Sequence, residues 1–377
     1  MTPEKKQNFI IAMNNLKQAI EDTPAAATEE KPGKNGERGG GEMIHHLLLA
    51  VILIAGLFGM PGSPAPAEAA VSFDGCTAIE DDAARLLCYD DAAGRRPRDS
   101  VSAANLQTQP RREPSYLSKK WQLDEESRKN RFAIVPHRAN YLLPYTNNFT
   151  QNKKTYEAAD PKANIQDAEA KFQISMKVKL WESIFGTNTD LWLGYTQLSF
   201  WQVYNTAFSS PFRETNYEPE ILLNLRTDTD IFGLMRNRFI QVGLNHQSNG
   251  LGDPLSRSWN RIVANFGFER DAFNLVLKTW ARIPESVDKD NNPDITSYLG
   301  YGEVVMGYHW KDYAVGATFR NNLRFDESRS AVQLDVNFPL IEPLSGYVQY
   351  FAGYGESLID YNHYTNRIGV GVIVKDW

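Results

Sequence analysis

Residues 171–180 read KFQISMKVKL, so that polar and apolar side chains alternate without interruption. Strict alternation is the pattern of a β-strand that presents one polar face and one apolar face. The same period of two recurs at 273–283 and 330–338, and it dominates the sequence from about residue 132 onward. These residues therefore predict a domain that is built almost wholly from β-strands.

Twelve segments share this alternation and are predicted to be strands. They lie near residues 137–147, 169–181, 190–203, 215–226, 236–248, 257–269, 272–284, 297–310, 312–325, 329–338, 344–354 and 366–376. Most are about 9–13 residues long, longer than the ~5–6 typical of soluble proteins and close to the ~9–11 that cross a bilayer. We therefore predict an all-β fold, a twelve-stranded antiparallel transmembrane β-barrel over residues 132–377. A soluble β-sandwich is the alternative, because its strands also alternate.

An apolar run before the strands indicates export. Leu47–Met60 contains no Lys or Arg and is shorter than the ~20 residues that a spanning helix needs. It is followed by Ala67-Glu68-Ala69, the pattern of a signal-peptidase site. Residues 43–69 are therefore predicted to be a secretory signal peptide. With an even number of strands, both termini of the barrel are then expected in the periplasm.

Residues 1–42 stand upstream of that signal peptide. Within them, residues 36–42 read GERGGGE, which purine-rich codons like those of a ribosome-binding site can encode. We therefore expect Met43 to be the true start and residues 1–42 to be an over-extended translation.

A short exported extension separates the signal peptide from the barrel. Residues 70–91 contain the two cysteines of the chain, Cys76 and Cys88, and an oxidising compartment favours a disulfide between them. The residues between them are compatible with a helix, and their acidic side chains indicate a solvated helix face. Residues 92–131 begin with an Arg-, Pro-, Ser- and Gln-rich tract without periodicity and are predicted to be a linker and an N-terminal periplasmic segment.

Two neighbouring predicted strands carry polar residues on their apolar faces. His246 and Ser248 are two residues apart, so they share the face of Leu244. Asn260 lies on the apolar face of the next strand, and a turn centred on Asp253 places it opposite His246 with Cβ atoms ~4.5–5.5 Å apart. A lone histidine on a strand is usually an ordinary polar residue. Three polar residues on a lipid-facing surface instead indicate a nucleophile, a general base and a residue that orients the base.

The sequence around these residues resembles one known family closely. The matching segments are 209–219 (SSPFRETNYEP), 245–250 (NHQSNG), 253–261 (DPLSRSWNR), 292–296 (NPDIT) and 353–361 (GYGESLIDY). They are similar to the outer membrane phospholipase A family, and the resemblance covers roughly residues 132–377. It covers neither the cysteine-containing segment nor the linker.

The resemblance implies a calcium-activated, homodimeric barrel of the cell outer membrane that hydrolyses acyl esters of phospholipids and lysophospholipids, with A1 and A2 activity. By match to the family motif, Ser248 is the nucleophile, His246 is the base and Asn260 fixes the imidazole. Ser248 lacks the G-x-S-x-G context of a soluble α/β-hydrolase. The alternative function is that of a catalytically silent porin-like or structural barrel, which the intact Ser, His and Asn disfavour.

The resemblance also implies which residues bind Ca²⁺, an ion that takes several hard oxygen ligands. Ser256 and the backbone carbonyl of Leu251 match the catalytic metal site of one subunit. Ser210 matches the serine that the partner subunit contributes. All three residues lie in loops that the predicted topology places outside the cell.

A second calcium site is expected at Asp253. Its further ligand is expected from the acidic loop 288–294, where Asp290 and Asp294 are the candidates. Taken alone, an Asp- and Asn-rich run of this kind is usually a solvated loop.

The predicted partners are lipids and a second copy of the chain. Gln197 shares the apolar face of Leu193 and Tyr195, and an amide that faces lipid is better satisfied by a partner's amide across a two-fold axis. Gln197 is therefore predicted to lie in the dimer interface, with Gln202 as the alternative. The net charge of -6 gives no basis for nucleic-acid binding.

Overall fold

A computed structural model describes residues 76–77, 79, 81–92, 114–159 and 164–374. The predicted signal peptide at 43–69 and the extension at 1–42 lie outside the described residues. The α-helices of the described part are α1 (Asp82–Ala92), α2 (Tyr116–Trp121), α3 (Lys154–Ala159) and α4 (Ile295–Leu299). In the part of the chain that is described, no helix has the length and the apolar composition to cross a membrane.

The strands follow the twelve alternating segments, except that residues 297–299, predicted to begin a strand, belong to α4, and that strand begins at Gly302. They are β1 (Ile134–Pro136), β2 (Tyr141–Asn148), β3 (Ala168–Trp181), β4 (Thr189–Trp201), β5 (Phe212–Ile231), β6 (Met235–Ser248), β7 (Ser258–Arg270), β8 (Phe273–Ile283), β9 (Gly302–Trp310), β10 (Tyr313–Asn321), β11 (Ser330–Ile341), β12 (Leu344–Tyr354) and β13 (Tyr364–Val374).

Strands β2 to β13 form a closed antiparallel barrel. Each pairs with its neighbours along the chain, and β13 pairs with β2 to close the sheet. The short β1 pairs with the same edge of β3 that β2 uses, with Ile134 opposite Val178. It therefore continues the row that β2 forms along β3 and is not a thirteenth strand of the barrel wall. The prediction of an all-β, twelve-stranded antiparallel barrel is confirmed.

The alternation in the sequence corresponds to the two faces of the barrel wall. In β3, Lys171 and Lys177 point into the lumen and are 1% and 2% exposed, whereas Ile174 on the other face is 46% exposed. In β6, Asn245 is buried and Leu244 is 54% exposed. An apolar outer face with a polar interior is the arrangement that a barrel needs when its outside contacts lipid.

Paired charges fill one end of the lumen, and we name these residues the lumen network. The Glu169 carboxylate lies 2.9 Å from Arg213 Nε and 2.8 Å from Arg367 Nη2. The Glu356 carboxylate lies 2.8 Å from Lys171 Nζ and 2.9 Å from Arg367 Nε. Burial of a charge is tolerated where an opposite charge and hydrogen bonds compensate for lost water. The lumen network is therefore a structural filling that narrows the path through the barrel.

Helix α2 packs inside the other end of the barrel. Trp121 is 6% exposed and meets Trp192 edge to face, with ring centroids 5.8 Å apart. Ser118 is fully buried, and its Oγ accepts a hydrogen bond of 2.9 Å from Arg238 Nη2. Part of the segment predicted as linker and periplasmic residues, 92–131, is thus structured, because α2 buries its apolar side chains against the barrel interior.

The predicted disulfide between Cys76 and Cys88 is confirmed. Their Cα atoms are 5.5 Å apart, and Cys88 lies within α1. The helix that was expected between the cysteines begins at Asp82 and continues to Ala92, four residues beyond the second cysteine.

Candidate active site

The hairpin of β6 and β7 brings the predicted catalytic residues together. The register places His246 opposite Asn260 and Leu244 opposite Ile262. His246 and Asn260 are half-buried on the outward face of the barrel wall. His246 Nδ1 lies 2.8 Å from Asn260 Oδ1, so the side chains are joined directly and not only adjacent in the sheet.

The protonation of the imidazole follows from its partner. An amide oxygen only accepts hydrogen bonds, so Nδ1 of His246 carries the proton and donates it to Asn260 Oδ1. The neutral ring then presents Nε2 as an acceptor. This is the tautomer in which a histidine can act as a general base.

Ser248 lies two residues beyond His246 on the same face of β6, at the end of the strand. It is half-buried and stands opposite Tyr217 of β5 and Ser258 of β7. Within the described part of the chain, its hydroxyl forms no hydrogen bond to the imidazole. Catalytic hydrogen bonds of this kind commonly shorten only when substrate is bound.

Asn249 organises the loop that follows Ser248. Its side-chain amide donates to the Leu255 carbonyl at 2.8 Å and accepts from the Arg257 backbone N–H at 2.9 Å. Asn249 is 3% exposed, so these bonds are shielded from water. They fix the backbone on both sides of Leu251 and Ser256, the two residues that the family motif assigns to the first calcium site.

Ser210 lies in the loop between β4 and β5, at the same end of the barrel as the loop that contains Ser256. Its backbone adopts a positive φ of 48°, and its hydroxyl donates to the Val203 carbonyl at 3.2 Å. Its own carbonyl accepts from the Trp201 indole N–H at 2.9 Å. The hydroxyl of Ser210 is thus held by its own loop.

The two acidic residues considered as further ligands of a second calcium each have a side-chain partner in the structure. Asp290 lies 2.6 Å from Arg282 Nη2, and Asp294 accepts a hydrogen bond from the Tyr361 hydroxyl. Burial and the contact with Asp294 raise the pKa of Tyr361 well above its ordinary value, so this hydroxyl stays protonated and donating. Asp253 is exposed. Among the described residues, no group of three or more His, Cys, Asp or Glu side chains is arranged to hold a metal.

Of the two glutamines considered for a dimer contact, one faces outward. Gln197 is half-buried on the outer face of β4, where its amide bonds to Tyr195 Oη and Ser199 Oγ, both at 3.2 Å. Gln202 is fully buried inside the barrel and donates to Glu169 at 2.9 Å. The alternative of Gln202 is therefore wrong, because its side chain is not available to a partner.

The sequence reasoning missed Glu285. Its Oε1 accepts a hydrogen bond of 3.1 Å from Asn260 Nδ2, so it contacts the residue that is predicted to orient the histidine. The signal for it was strand parity. Asn260 pairs with Ile283 at the end of β8, and a residue two positions later lies on the same face of an extended chain.

The chain is similar to known proteins over most of its described part. Residues 117–374 match the family model described as Phospholipase A1. Phospholipase A1 of Escherichia coli strain K12 is 40% identical over 247 residues, which are 66% of this chain and 83% of that protein. Phospholipase A1 of Salmonella typhimurium is 39% identical over 247 residues, with the same two coverages, 66% and 83%.

Two solved structures support the same relationship. Outer membrane phospholipase A from Escherichia coli has a TM-score of 0.61 and 39% identity, with 66% of this chain and 94% of that chain covered. The Salmonella typhi outer membrane phospholipase, solved as a dimer with bound calcium, has a TM-score of 0.62 and 38% identity, with 67% and 95% covered. The closed twelve-stranded barrel and these similarities together show that the chain belongs to the phospholipase A1 family of outer-membrane β-barrels.

Proposed function

We propose that the protein is a calcium-dependent outer-membrane phospholipase, active as a homodimer, that hydrolyses acyl esters of phospholipids and lysophospholipids with A1 and A2 activity. The observation that carries the proposal is the 2.8 Å contact between His246 Nδ1 and Asn260 Oδ1, with Ser248 beside them on the outward face. Polar side chains on a lipid-facing surface are costly to maintain, so a cluster of them indicates a function.

The proposed reaction is a two-step acyl transfer. Nε2 of His246 takes the proton of Ser248 as Oγ attacks the ester carbonyl carbon. The tetrahedral intermediate then collapses, and the departing lysophospholipid oxygen takes the proton from Nε2. In the second step, water loses a proton to Nε2 and attacks the acyl-enzyme, which releases the fatty acid and returns the proton to Ser248. Asn260 keeps Nδ1 as the donor throughout.

The substrate reaches this site from the membrane. Around the hairpin the outer face is apolar, with Ile221 39% exposed and Leu244 54% exposed, while the lumen contains the lumen network and α2. A passive porin needs a lumen that is open from end to end, so the lumen network at one end and α2 at the other disfavour that function. We place both termini in the periplasm, which puts the loops with Ser210, Leu251 and Ser256 outside the cell.

The residues near Ser248 fit a calcium ion by their chemistry. The Leu251 carbonyl and the Ser256 hydroxyl are hard oxygen donors of the kind that calcium takes. A single chain offers few of the ~6–8 oxygens that the ion requires, so we propose that Ser210 of a second copy and waters complete the site. When bound, calcium supplies positive charge that stabilises the oxyanion of the tetrahedral intermediate.

We propose a second calcium at Asp253, with Asp290 or Asp294 as its other acidic ligand. Either acid has a second carboxylate oxygen that could bind the ion while the first keeps its present partner. For Asp290 that partner is the Arg282 guanidinium, and for Asp294 it is the Tyr361 hydroxyl.

Removal of calcium tests the proposed function. We expect the refolded full chain in detergent micelles to release fatty acid from phosphatidylcholine when calcium is present. The rate of release is expected to fall about tenfold or more in excess chelator. Ser256→Ala is expected to raise the calcium concentration needed for half-maximal activity. Hydrolysis that is equally fast in chelator contradicts the calcium requirement, and no hydrolysis in calcium overturns the enzyme assignment in favour of a silent barrel.

Substitution of Gln197 tests the dimer interface. We expect Gln197→Ala to raise the dissociation constant of the calcium-bound dimer about fivefold, because each dimer loses two membrane-embedded amides. Sedimentation in density-matched detergent measures this constant. Leu334→Ala is the control, since Leu334 is an outward-facing, 46% exposed residue of β11 and is expected to leave the constant unchanged. An unchanged constant for Gln197→Ala places the interface elsewhere.

A further inference from the structure

We propose that Glu285 is a positioning residue that extends the Ser–His–Asn arrangement to four members. The contacts form a continuous chain, in which His246 Nδ1 donates to Asn260 Oδ1 at 2.8 Å and Asn260 Nδ2 donates to Glu285 Oε1 at 3.1 Å. The proposal deepens the proposed function and rests on it, because Glu285 acts through Asn260 and does not itself touch the substrate.

The backbone places Glu285 beside Asn260 for a local reason. β8 ends at Ile283, which pairs with Asn260, and the following Pro284 has no N–H with which to continue the ladder. Glu285 comes next, half-buried and on the side of the wall that carries Asn260. Its carboxylate forms no ion pair with Lys or Arg among the described residues, so its charge is directed at the amide.

The carboxylate decides which way the Asn260 amide points. The oxygen and nitrogen of an amide are nearly equal in size, and a flipped amide would present N–H to the histidine. Nδ1 would then have to accept, Nε2 would carry the proton, and the ring could not take a proton from Ser248. In that flipped state the amide oxygen would also face the Glu285 carboxylate, two acceptors without a proton between them. Glu285 therefore excludes the unproductive orientation.

The contact between Glu285 and Asn260 also places a negative charge beside a neutral amide. A neutral amide stabilises an imidazolium less than a carboxylate does, and Glu285 restores a negative charge one residue further away. Tyr217 is the titratable group opposite Ser248 on β5, and Arg282 on β8 is held in its ion pair with Asp290. Neither of these supplies a negative charge to the ring.

The contact between the Asn260 amide and the Glu285 acid predicts that exchanging the two side chains restores activity. Asn260→Asp places two carboxylates within hydrogen-bonding distance and is expected to impair the enzyme strongly. Glu285→Gln in the same chain returns an N–H donor to that contact, with the acid and the amide exchanged. The double variant is therefore expected to be more active than Asn260→Asp alone, although each substitution by itself lowers activity.

The experiment measures kcat, KM and the pH dependence of kcat/KM for the full chain refolded in detergent with saturating calcium. We expect Glu285→Ala to lower kcat about tenfold or more with KM nearly unchanged, because Asn260 loses the hydrogen bond that holds its amide. Glu285→Gln keeps an acceptor for Asn260 and is expected to retain more activity. Both variants remove the negative charge that favours a protonated imidazole, so the acid limb of the measured profile is expected to move to lower pH in both.

Asp271→Asn is the matched control, because it removes one negative charge from an exposed turn at the other end of β7 and is expected to change neither kcat nor the acid limb. A merely structural role for Glu285 would lower the yield of folded protein without moving that limb. The proposal is overturned if active wild-type protein and both Glu285 variants share one kcat and one acid limb, or if the double variant is no better than Asn260→Asp. Absence of hydrolysis by wild-type protein is a different result, which overturns the proposed function itself.

Discussion

Ser248→Ala is expected to lower kcat for phospholipid hydrolysis by about 10⁴-fold or more at saturating calcium, since loss of the nucleophile leaves only binding and oxyanion stabilisation. The hydroxyl is small and half-buried at the end of β6, and its side chain takes no part in the strand ladder. We therefore expect the variant to refold, to dimerise with calcium and to bind micelles like the wild type. The measurement is release of fatty acid from phosphatidylcholine, alongside labelling by a serine-reactive sulfonyl fluoride.

The barrel supplies a close control for this substitution. Ser258 of β7 lies directly opposite Ser248 in the register and is also half-buried. A hydroxyl therefore sits on each side of the hairpin, but only Ser248 is on the same strand and face as His246. We expect Ser258→Ala to keep activity within about threefold. Full activity of Ser248→Ala, or loss of labelling only in Ser258→Ala, would assign the nucleophile to β7.

The barrel could be predicted because one simple pattern determines most of it. In β3 and β6 a period of two separates lumen residues from lipid-facing residues, and a one-residue slip would bury the wrong face. The pairing of His246 with Asn260 followed from a turn centred on Asp253, the middle of the loop that joins β6 to β7. These features are local in sequence, so a single chain sufficed to predict them.

Features that depend on distant residues were not predicted. Helix α2 is only six residues long, too short for a helical period, and it is stabilised by the interior of a barrel that forms from later sequence. Glu285 lies two residues beyond the end of β8, where strand parity gives its face only if the chain stays extended. Its contact with Asn260 therefore depends on the path that the chain takes after Pro284.

The ion pairs of the lumen network were not predicted, because the sequence does not say which charges pair. Glu356 and Lys171 are 185 residues apart in sequence and still lie 2.8 Å apart in the lumen. Many inward positions carry a charge, so strand order alone allows several sets of pairs. The three-dimensional arrangement shows a lumen that is obstructed at both ends, and this obstruction supports our proposal that the substrate arrives from the membrane.

Removal of the central acid of the lumen network is expected to give the largest loss of stability. Glu169 is fully buried and lies between Arg213 and Arg367. Glu169→Ala removes the carboxylate that these two buried guanidinium groups share and leaves each with one remaining acid, Asp360 for Arg213 and Glu356 for Arg367. Breaking a buried ion pair by removing one partner costs about 3–5 kcal/mol, which we expect as a lower free energy of unfolding. Guanidinium titration of the barrel refolded in lipid vesicles, followed by tryptophan fluorescence, measures this value.

Two further variants make the result interpretable. Asp228→Ala breaks the exposed ion pair with Arg236, in which the side chains are 59% and 54% exposed, and is expected to cost less than about 1 kcal/mol. Glu169→Gln keeps an acceptor for Arg213 while removing the charge, so its free energy of unfolding is expected to lie between those of Glu169→Ala and Asp228→Ala. It takes the place of Glu169→Ala in the comparison if that variant does not fold. Equal stability of the Glu169 and Asp228 variants would mean that water reaches Arg213 and Arg367 through the lumen. The lumen network would then be weak evidence against a porin-like function, and the case against that function would rest mainly on hydrolysis.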